Sequence, residues 1–211
     1  NFFIKIYRRF DILKIKKEWA IHNTLIEHDL AVPKMYINKN GDVGSILPEQ
    51  KIALSVHEYM LGKKYRGATR LPVQYIKSAA IALAKVHTVL QNHQKTAKVM
   101  PLTREVENGI KIYKKIITTK ITSKDNLKRK EYIANVLTRR VGEVASVMHQ
   151  LKQCKLLSKT IIHGDYAPAN IIFIKNKPCI VDWERVKSYY WQYDLFKAVS
   201  NFSSSGRFTA Y

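Results

Sequence analysis

The sequence predicts an α+β fold: a small antiparallel sheet with one helix, then a mainly helical region that closes on a short hairpin. Three observations carry this. Residues 2–7, 43–47 and 52–59 are short runs with strand-like alternation. From 73 to 153 the apolar residues recur at helical spacing. From 160 to 181 the chain returns to short apolar runs bounded by polar loops.

In order, residues 2–7 predict a strand. Residues 12–28 predict a helix with Ile15, Trp19, His22 and Ile26 along one face. Pro33 limits that helix, and Lys34-Met35-Tyr36-Ile37 opens a new strand. Asn40-Gly41 is a hairpin-turn signal, and the Pro48-Glu49-Gln50 turn separates the strands at 43–47 and 52–59. Gly62 and Lys63-Lys64 end this region, so the chain divides near residue 60 into parts covering 1–60 and 61–211. Helices follow at 73–90 (Ile76, Ala80, Leu83, His87 and Leu90 on one face), at 105–120 and at 130–153. Thr160-Ile161-Ile162 is a buried-strand signal, and His163 to Asn170 is a polar loop. Ile171–Ile174 and Cys179–Val181 are strands joined by a turn at Lys175-Asn176-Lys177-Pro178. A helix starts near Asp194.

The 211 residues are 46% hydrophobic and 10% aromatic, enough for packed cores and against a disordered chain. No apolar run approaches the ~20 residues that span a bilayer. The first residues lack the segment order of a signal peptide. Cys154 and Cys179 make neither a disulfide framework nor a zinc cluster. Buried thiols in the cytoplasm are the expectation. The net charge of +21 attracts polyanions. It is mostly Lys in a chain rich in Ile, Asn and Tyr, types that share AT-rich codons. The charges are also spread along the chain. Charge of this kind steers ligands without defining a site, and a basic nucleic-acid-binding module is a minor alternative.

The chemistry lies in His163-Gly164-Asp165-Tyr166-Ala167-Pro168-Ala169-Asn170, followed by a hairpin and Asp182. Phosphoryl transfer needs a hydroxyl aimed at the γ-phosphate, an acceptor for its proton, and a magnesium ion that neutralises developing charge. Asp165 can take the proton or orient the hydroxyl. Asn170 and Asp182 offer the hard oxygens that Mg2+ prefers. The hairpin between them returns the chain to one cleft. The Asp-to-Asn spacing of five is also that of the protein-kinase catalytic loop.

These motifs resemble the aminoglycoside phosphotransferase and choline kinase-like family: His-Gly-Asp-x-x-x-x-Asn, then Asp182-Trp183-Glu184 where protein kinases have Asp-Phe-Gly. The resemblance implies a bilobal protein-kinase-like fold, with a nucleotide-binding lobe at 1–60 and a catalytic lobe at 61–211. It implies Asp165 as catalytic base and Asn170 and Asp182 as magnesium ligands. Lys5 resembles the strand lysine that binds phosphates, and Glu18 its ion-pair partner. Val56-His57-Glu58-Tyr59-Met60 resembles the hinge that holds adenine, which places Glu58 and Met60 at the ATP site. Leu30-Ala31-Val32-Pro33-Lys34 and Leu83-Ala84-Lys85-Val86-His87 resemble further family segments. Asp194-Leu195 resembles the family's helix start, a structural tie for the loop. The family's Gly-rich strand-turn-strand would lie before Asn1, and the helices completing its acceptor pocket would follow Tyr211.

The implied function is transfer of the ATP γ-phosphate to a hydroxyl of a small molecule: a sugar, an amino alcohol, an aminoglycoside or a related metabolite. The alternatives are an inactive nucleotide-binding or scaffold remnant of such a kinase, and an unusual protein kinase. With only 16 acidic residues in the chain, a neutral or anionic acceptor is at least as well supported as a polycationic one. His163 is expected to bond structurally under the loop, and His87 to pack in a core. Trp183 and Trp191 are expected to pack. Glu184 is either a surface or a substrate-facing carboxylate.

Overall fold

The computed structural model describes residues 1–8, 11–65, 71–91 and 159–203, with isolated helical positions at 111, 132, 135, 136 and 139. Residues 1–97 and 158–211 belong to one compact unit, and 98–157 to another. The helices expected at 105–120 and 130–153 therefore lie outside the described residues except at those five positions, and Cys154 lies outside them too. Among the described residues no helix is long and apolar enough to cross a membrane.

The architecture of the first unit is α+β. Strand β1 (Phe2–Arg8) leads into helix α1 (Ile12–Glu27), followed by β2 (Met35–Tyr36), β3 (Ser45–Leu47) and β4 (Ile52–Glu58). β4 is the centre of an antiparallel sheet. It carries β1 on one side, in register Lys5↔Ser55, and β2 and β3 at successive positions on the other. The Asn40-Gly41 turn is present, with Gly41 at φ +84°. The strands it joins pair with β4 rather than with each other, and the Asn38 side chain organises the loop between them. Its Oδ1 accepts from the N–H groups of Asn40 and Asp42.

Asp11 caps α1, its carboxylate accepting the Lys14 N–H at 3.1 Å. The buried face of α1 is Ile15, Glu18, Ile21, His22 and Leu25. Ile26, expected on it, is exposed, while Glu18 is carried inside by a polar partner set described below. After β5 (Lys63–Lys64) comes α2 (Val73–Gln91). Its buried stripe runs through Tyr75, Ala79, Ala82, Leu83, Val86 and Leu90. Leu83 and Leu90 lie on it as expected and Ile76 packs against it, while Ala80 and His87 turn toward an apolar cavity that α2 forms with the last helix.

The last third contains β6 (Lys159–Ile162), β7 (Ile171–Ile174), β8 (Lys177–Ile180), β9 (Lys187–Tyr190) and α3 (Trp191–Ser203). β7 and β8 form a hairpin that β5 extends, and β6 pairs with β9. The β7–β8 turn is only Lys175 and Asn176, both at positive φ as a two-residue type I′ turn requires. Pro178, expected in the turn, sits in β8 opposite Phe173. That is tolerated because β8 is an edge strand. Tyr75 stacks on Phe173 at 4.3 Å, fastening α2 to this hairpin. α3 starts at Trp191, so Asp194 lies in its first turn.

Candidate active site

The β7–β8 hairpin brings Asn170 and Asp182 together. Ile171 pairs with Ile180, and the Val181 N–H donates to the Asn170 carbonyl at 3.0 Å. Residues twelve apart in sequence thus flank the mouth of one hairpin. Asp182 adopts the left-handed conformation, φ 65° and ψ 58°, between β8 and the short 3-10 turn Trp183–Arg185. Aspartate is among the few side chains that tolerate this region.

A cavity of about 410 Å3 collects six of the seven candidate residues. Its lining includes Lys5, Glu18, Glu58, Met60, Asn170 and Asp182. Lys5 is the link among them. Its Nζ donates to Glu18 at 3.0 and 3.3 Å, and to Asp182 Oδ1 at 3.3 Å. The Tyr7 hydroxyl donates to Glu18 Oε2 at 2.7 Å. Burial works against the Glu18 carboxylate. The charge of Lys5 and the Tyr7 hydrogen bond outweigh it and hold the carboxyl below its ordinary range. Burial, reinforced by the Glu18 charge, pushes the Tyr7 phenol up, so the proton stays on the tyrosine. The Glu18 side chain is 1% exposed and that of Asp182 is 43% exposed. Glu18 therefore anchors Lys5 from within, and Asp182 remains open to a cation or ligand.

Glu58 and Met60 lie at and just after the end of β4. The Glu58 N–H donates to the Lys34 carbonyl, and its side chain accepts from the Lys34 N–H. Gly62 completes this wall. A Cβ there would stand 2.7 Å from the Phe173 carbonyl oxygen, so the close approach of this segment to β7 requires glycine.

Asp165 is brought near but does not line the cavity. Its Oδ1 lies 3.3 Å from Lys197 Nζ and its Oδ2 lies 3.9 Å from Arg185 Nε. Its backbone carbonyl accepts from Asn170 Nδ2 at 2.9 Å, which leaves Asn170 Oδ1 as that side chain's remaining donor for a metal. Asn170 and Asp182 thus present one neutral and one anionic hard oxygen to the same cavity. This set fits Mg2+, which takes few protein ligands. Among the described residues no group of three His, Cys, Asp or Glu could hold a metal.

The loop itself is held from below by a fully buried Asp194. Its carboxylate accepts the N–H groups of His163 (2.7 Å) and Gly164 (2.8 Å), and lies 3.1 Å from His87 Nε2. His163 contacts the Val181 carbonyl through Nε2 at 3.1 Å, and its Nδ1 accepts the Asp165 N–H. This pattern assigns the neutral Nε2–H tautomer, and burial lowers its pKa accordingly. Trp183 is buried and donates to the Ile180 carbonyl, so it packs rather than faces a ligand.

Sequence reasoning missed three parts of the site. One is a column of edge-to-face rings, His57–His22–Trp183–His163–Tyr166, with neighbouring centroids 4.7 to 6.1 Å apart. It runs from the sheet to the loop. The second is the rest of the polar face of α3: beside Asp194, the tie expected for the loop, stand Lys197 and Asn201, the last donating to the Tyr166 carbonyl at 3.1 Å. Their i, i+3, i+7 spacing was the available signal. The third is Arg185.

The sequence matches the family described as "Phosphotransferase enzyme family" over residues 1–210. No curated protein matches it significantly. Among solved structures it is similar to an amicoumacin kinase in complex with AMP-PNP, Ca2+ and Ami. The identity is 18%, over 95% of this chain and 57% of that one, with a TM-score of 0.68. It is similar to an aminoglycoside phosphotransferase from Alicyclobacillus acidocaldarius subsp. acidocaldarius, at 12% identity, 94% and 62% coverage and TM-score 0.65. It is also similar to an AMP-bound spectinomycin phosphotransferase, at 14% identity, 97% and 66% coverage and TM-score 0.63. At these identities the likeness establishes the fold. The chain spans 57% to 66% of the length of these three proteins.

Proposed function

The chain belongs to the phosphotransferase enzyme family, and we propose that it transfers the γ-phosphoryl group of ATP to a hydroxyl of a small molecule. The observation that carries this reading is Lys5. It bridges a buried carboxylate, Glu18, and an open one, Asp182, within a cavity that the segment 58–60 also walls. That arrangement suits a triphosphate, with Lys5 as a ready cation for its oxygens and the segment past β4 as a wall for the base. Similar folds in complex with AMP-PNP or AMP support a nucleotide as donor.

In this proposal residues 1–60 form the nucleotide lobe of a bilobal enzyme and residues from 61 onward the catalytic lobe. ATP as donor places the work in the cytoplasm. Lys5 orients the α- and β-phosphates, Glu18 fixes Lys5, and the segment of Glu58 and Met60 receives adenine. Asn170 and Asp182 would hold Mg2+, which when bound supplies charge neutralisation for the phosphates. Asp165 accepts the proton of the attacking hydroxyl. Asp194 keeps the loop bearing Asp165 in place.

Calorimetry of ATP binding with and without Mg2+, on the chain and on Asp182→Ala, tests the nucleotide site. Magnesium-dependent binding that the substitution abolishes supports it, and absence of ATP binding by the chain refutes it. Asp165→Asn then separates an enzyme from an inactive nucleotide binder. The enzyme loses turnover and keeps Mg-ATP affinity, whereas the binder shows no turnover to lose.

A further inference from the structure

We infer that the hydroxyl acceptor carries a negative group, a carboxylate or a phosphate, received by Lys197 and Arg185 beside Asp165. The inference rests on the phosphotransfer reading and names the chemistry of its acceptor. Lys197 reaches one oxygen of Asp165 and Arg185 approaches the other. One cation would balance this carboxylate. Two leave positive charge in surplus where the attacking hydroxyl must arrive.

Both cations are placed by the fold. Lys197 lies one turn beyond Asp194, on the face of α3 that bonds the loop at His163, Gly164 and Tyr166. The Arg185 backbone is wedged against Gly164, where φ is +82° and a Cβ would stand 2.5 Å from the Arg185 carbonyl oxygen. From α1, Lys17 Nζ donates to the neighbouring Val186 carbonyl at 3.3 Å. Both heads remain reachable, Lys197 being 28% and Arg185 61% exposed. Of the nearby carboxylates, Asp182 is engaged with Lys5 and Asp194 with the loop, and the charge of Glu184 acts on Tyr7.

An anionic acceptor would draw Lys197 and Arg185 onto itself through charge-assisted hydrogen bonds, the guanidinium fork matching a carboxylate or phosphate. Asp165 would then be released for the hydroxyl. In the step, the acceptor oxygen bonds to the γ-phosphorus while the bond from that phosphorus to the β,γ-bridging oxygen breaks. The hydroxyl proton passes to Asp165, and ADP leaves with the bridging electrons. A polycationic acceptor would meet like charge.

The test measures phosphoryl transfer from Mg-ATP by the whole chain to four acceptors: D-gluconate, glucose 6-phosphate, neutral D-glucitol and cationic D-glucosamine. The expected result is a kcat/KM for gluconate or glucose 6-phosphate about tenfold or more above that for glucitol. Which of the two is preferred distinguishes carboxylate from phosphate. The anion-to-glucitol ratio should fall about tenfold in Lys197→Gln and separately in Arg185→Gln, and be kept in Lys197→Arg. Thermal unfolding and Mg-ATP affinity confirm that each variant is folded. Equal or better transfer to glucitol or glucosamine overturns the inference and leaves the kinase reading standing. An anion preference that both variants retain also overturns it. Transfer to none of the four, with Mg-ATP bound, overturns both readings.

Discussion

Asp194 grips Gly164: one carboxylate, with no exposure to solvent, accepts the N–H groups of Gly164 and of His163 before it. The loop that carries Asp165 is thereby fastened to the first turn of α3. Replacing Asp194 with alanine strands two buried N–H donors and leaves His87 without its anion. We expect a loss of about 3–5 kcal/mol, read as a lower midpoint in denaturant unfolding. Asp194→Asn keeps one acceptor oxygen and should fall between alanine and the natural residue.

Gly164 is a second fixed point. Its φ of +82° disfavours any side chain, and the nearest atom to an added Cβ is a backbone oxygen at 2.5 Å. Backbone cannot swing aside as a side chain can. Gly164→Ala should cost about 2 kcal/mol or more of stability. It should also displace Arg185, lowering turnover more than Mg-ATP affinity. Denaturation midpoints and calorimetry on one preparation check both parts.

The Lys5–Glu18 pair should couple strongly, because Glu18 is buried and its charge answers to Lys5 and Tyr7. Lys5→Met is expected to reduce kcat/KM for ATP about 100-fold. Glu18→Gln leaves Lys5 with Asp182 alone and should reduce it by a smaller factor. The double variant should lose much less than the product of the two, since the second change removes an interaction already gone. Independent losses would refute the coupling.

The ring column sets the response to acid. Burial keeps His22 neutral in the folded chain, pushing its pKa down to about 4, and it lowers those of His57 and His163. Glu18 opposes the shift at His22 and His57, and Lys5 adds to it. Asp194, Asp182 and Asp165 oppose it at His163. Unfolded, each histidine titrates near 6.5. Below that pH the unfolded chain binds protons that the native chain refuses, so stability is full above about pH 6.5 and falls as pH drops. His22 alone should account for on the order of 3 kcal/mol by pH 4. The Glu18 contribution is lost only in the carboxylate range, so the interval from 6.5 to 4.5 belongs to the histidines. Unfolding midpoints at pH 7.5, 6 and 5 should decline in the natural chain and decline less in His22→Leu.

Much of this was legible beforehand, for physical reasons that differ by residue. The hairpin that joins Asn170 to Asp182 announces itself locally, through two apolar runs and the polar turn between them, though the turn is two residues shorter than its polarity suggests. The face of α1 departs from its periodicity at Ile26, which is exposed, and at Glu18, which the family resemblance paired with Lys5 but periodicity left off the face. Periodicity sorts residues by polarity, and it cannot see that Lys5 and Tyr7 make a buried carboxylate affordable. Lys197 and Arg185 were invisible for a related reason. Each is one basic residue among 37, and only the packing of α3 and Gly164 distinguishes them. The His57–His22–Trp183–His163–Tyr166 column joins segments more than a hundred residues apart, with no sequence spacing to betray it.

Cys179 offers a check on the hairpin itself. It is fully buried in β8, opposite Ile172, and burial with the nearby Glu58 charge pushes its thiol up to about 12. A thiol must be both reachable and ionised to attack a disulfide reagent, and Cys179 in the folded chain is neither. In a Cys154→Ser background, the native protein at pH 8 should show no reaction with an aromatic disulfide over minutes. It should show one full equivalent in denaturant. Graded reaction under mildly destabilising conditions would follow opening of the β7–β8 hairpin. Mg-ATP should slow that reaction, because Asn170 and Asp182 at the hairpin mouth are the residues assigned to hold the ion. Prompt reaction in the native state would mean that the hairpin is not packed as described.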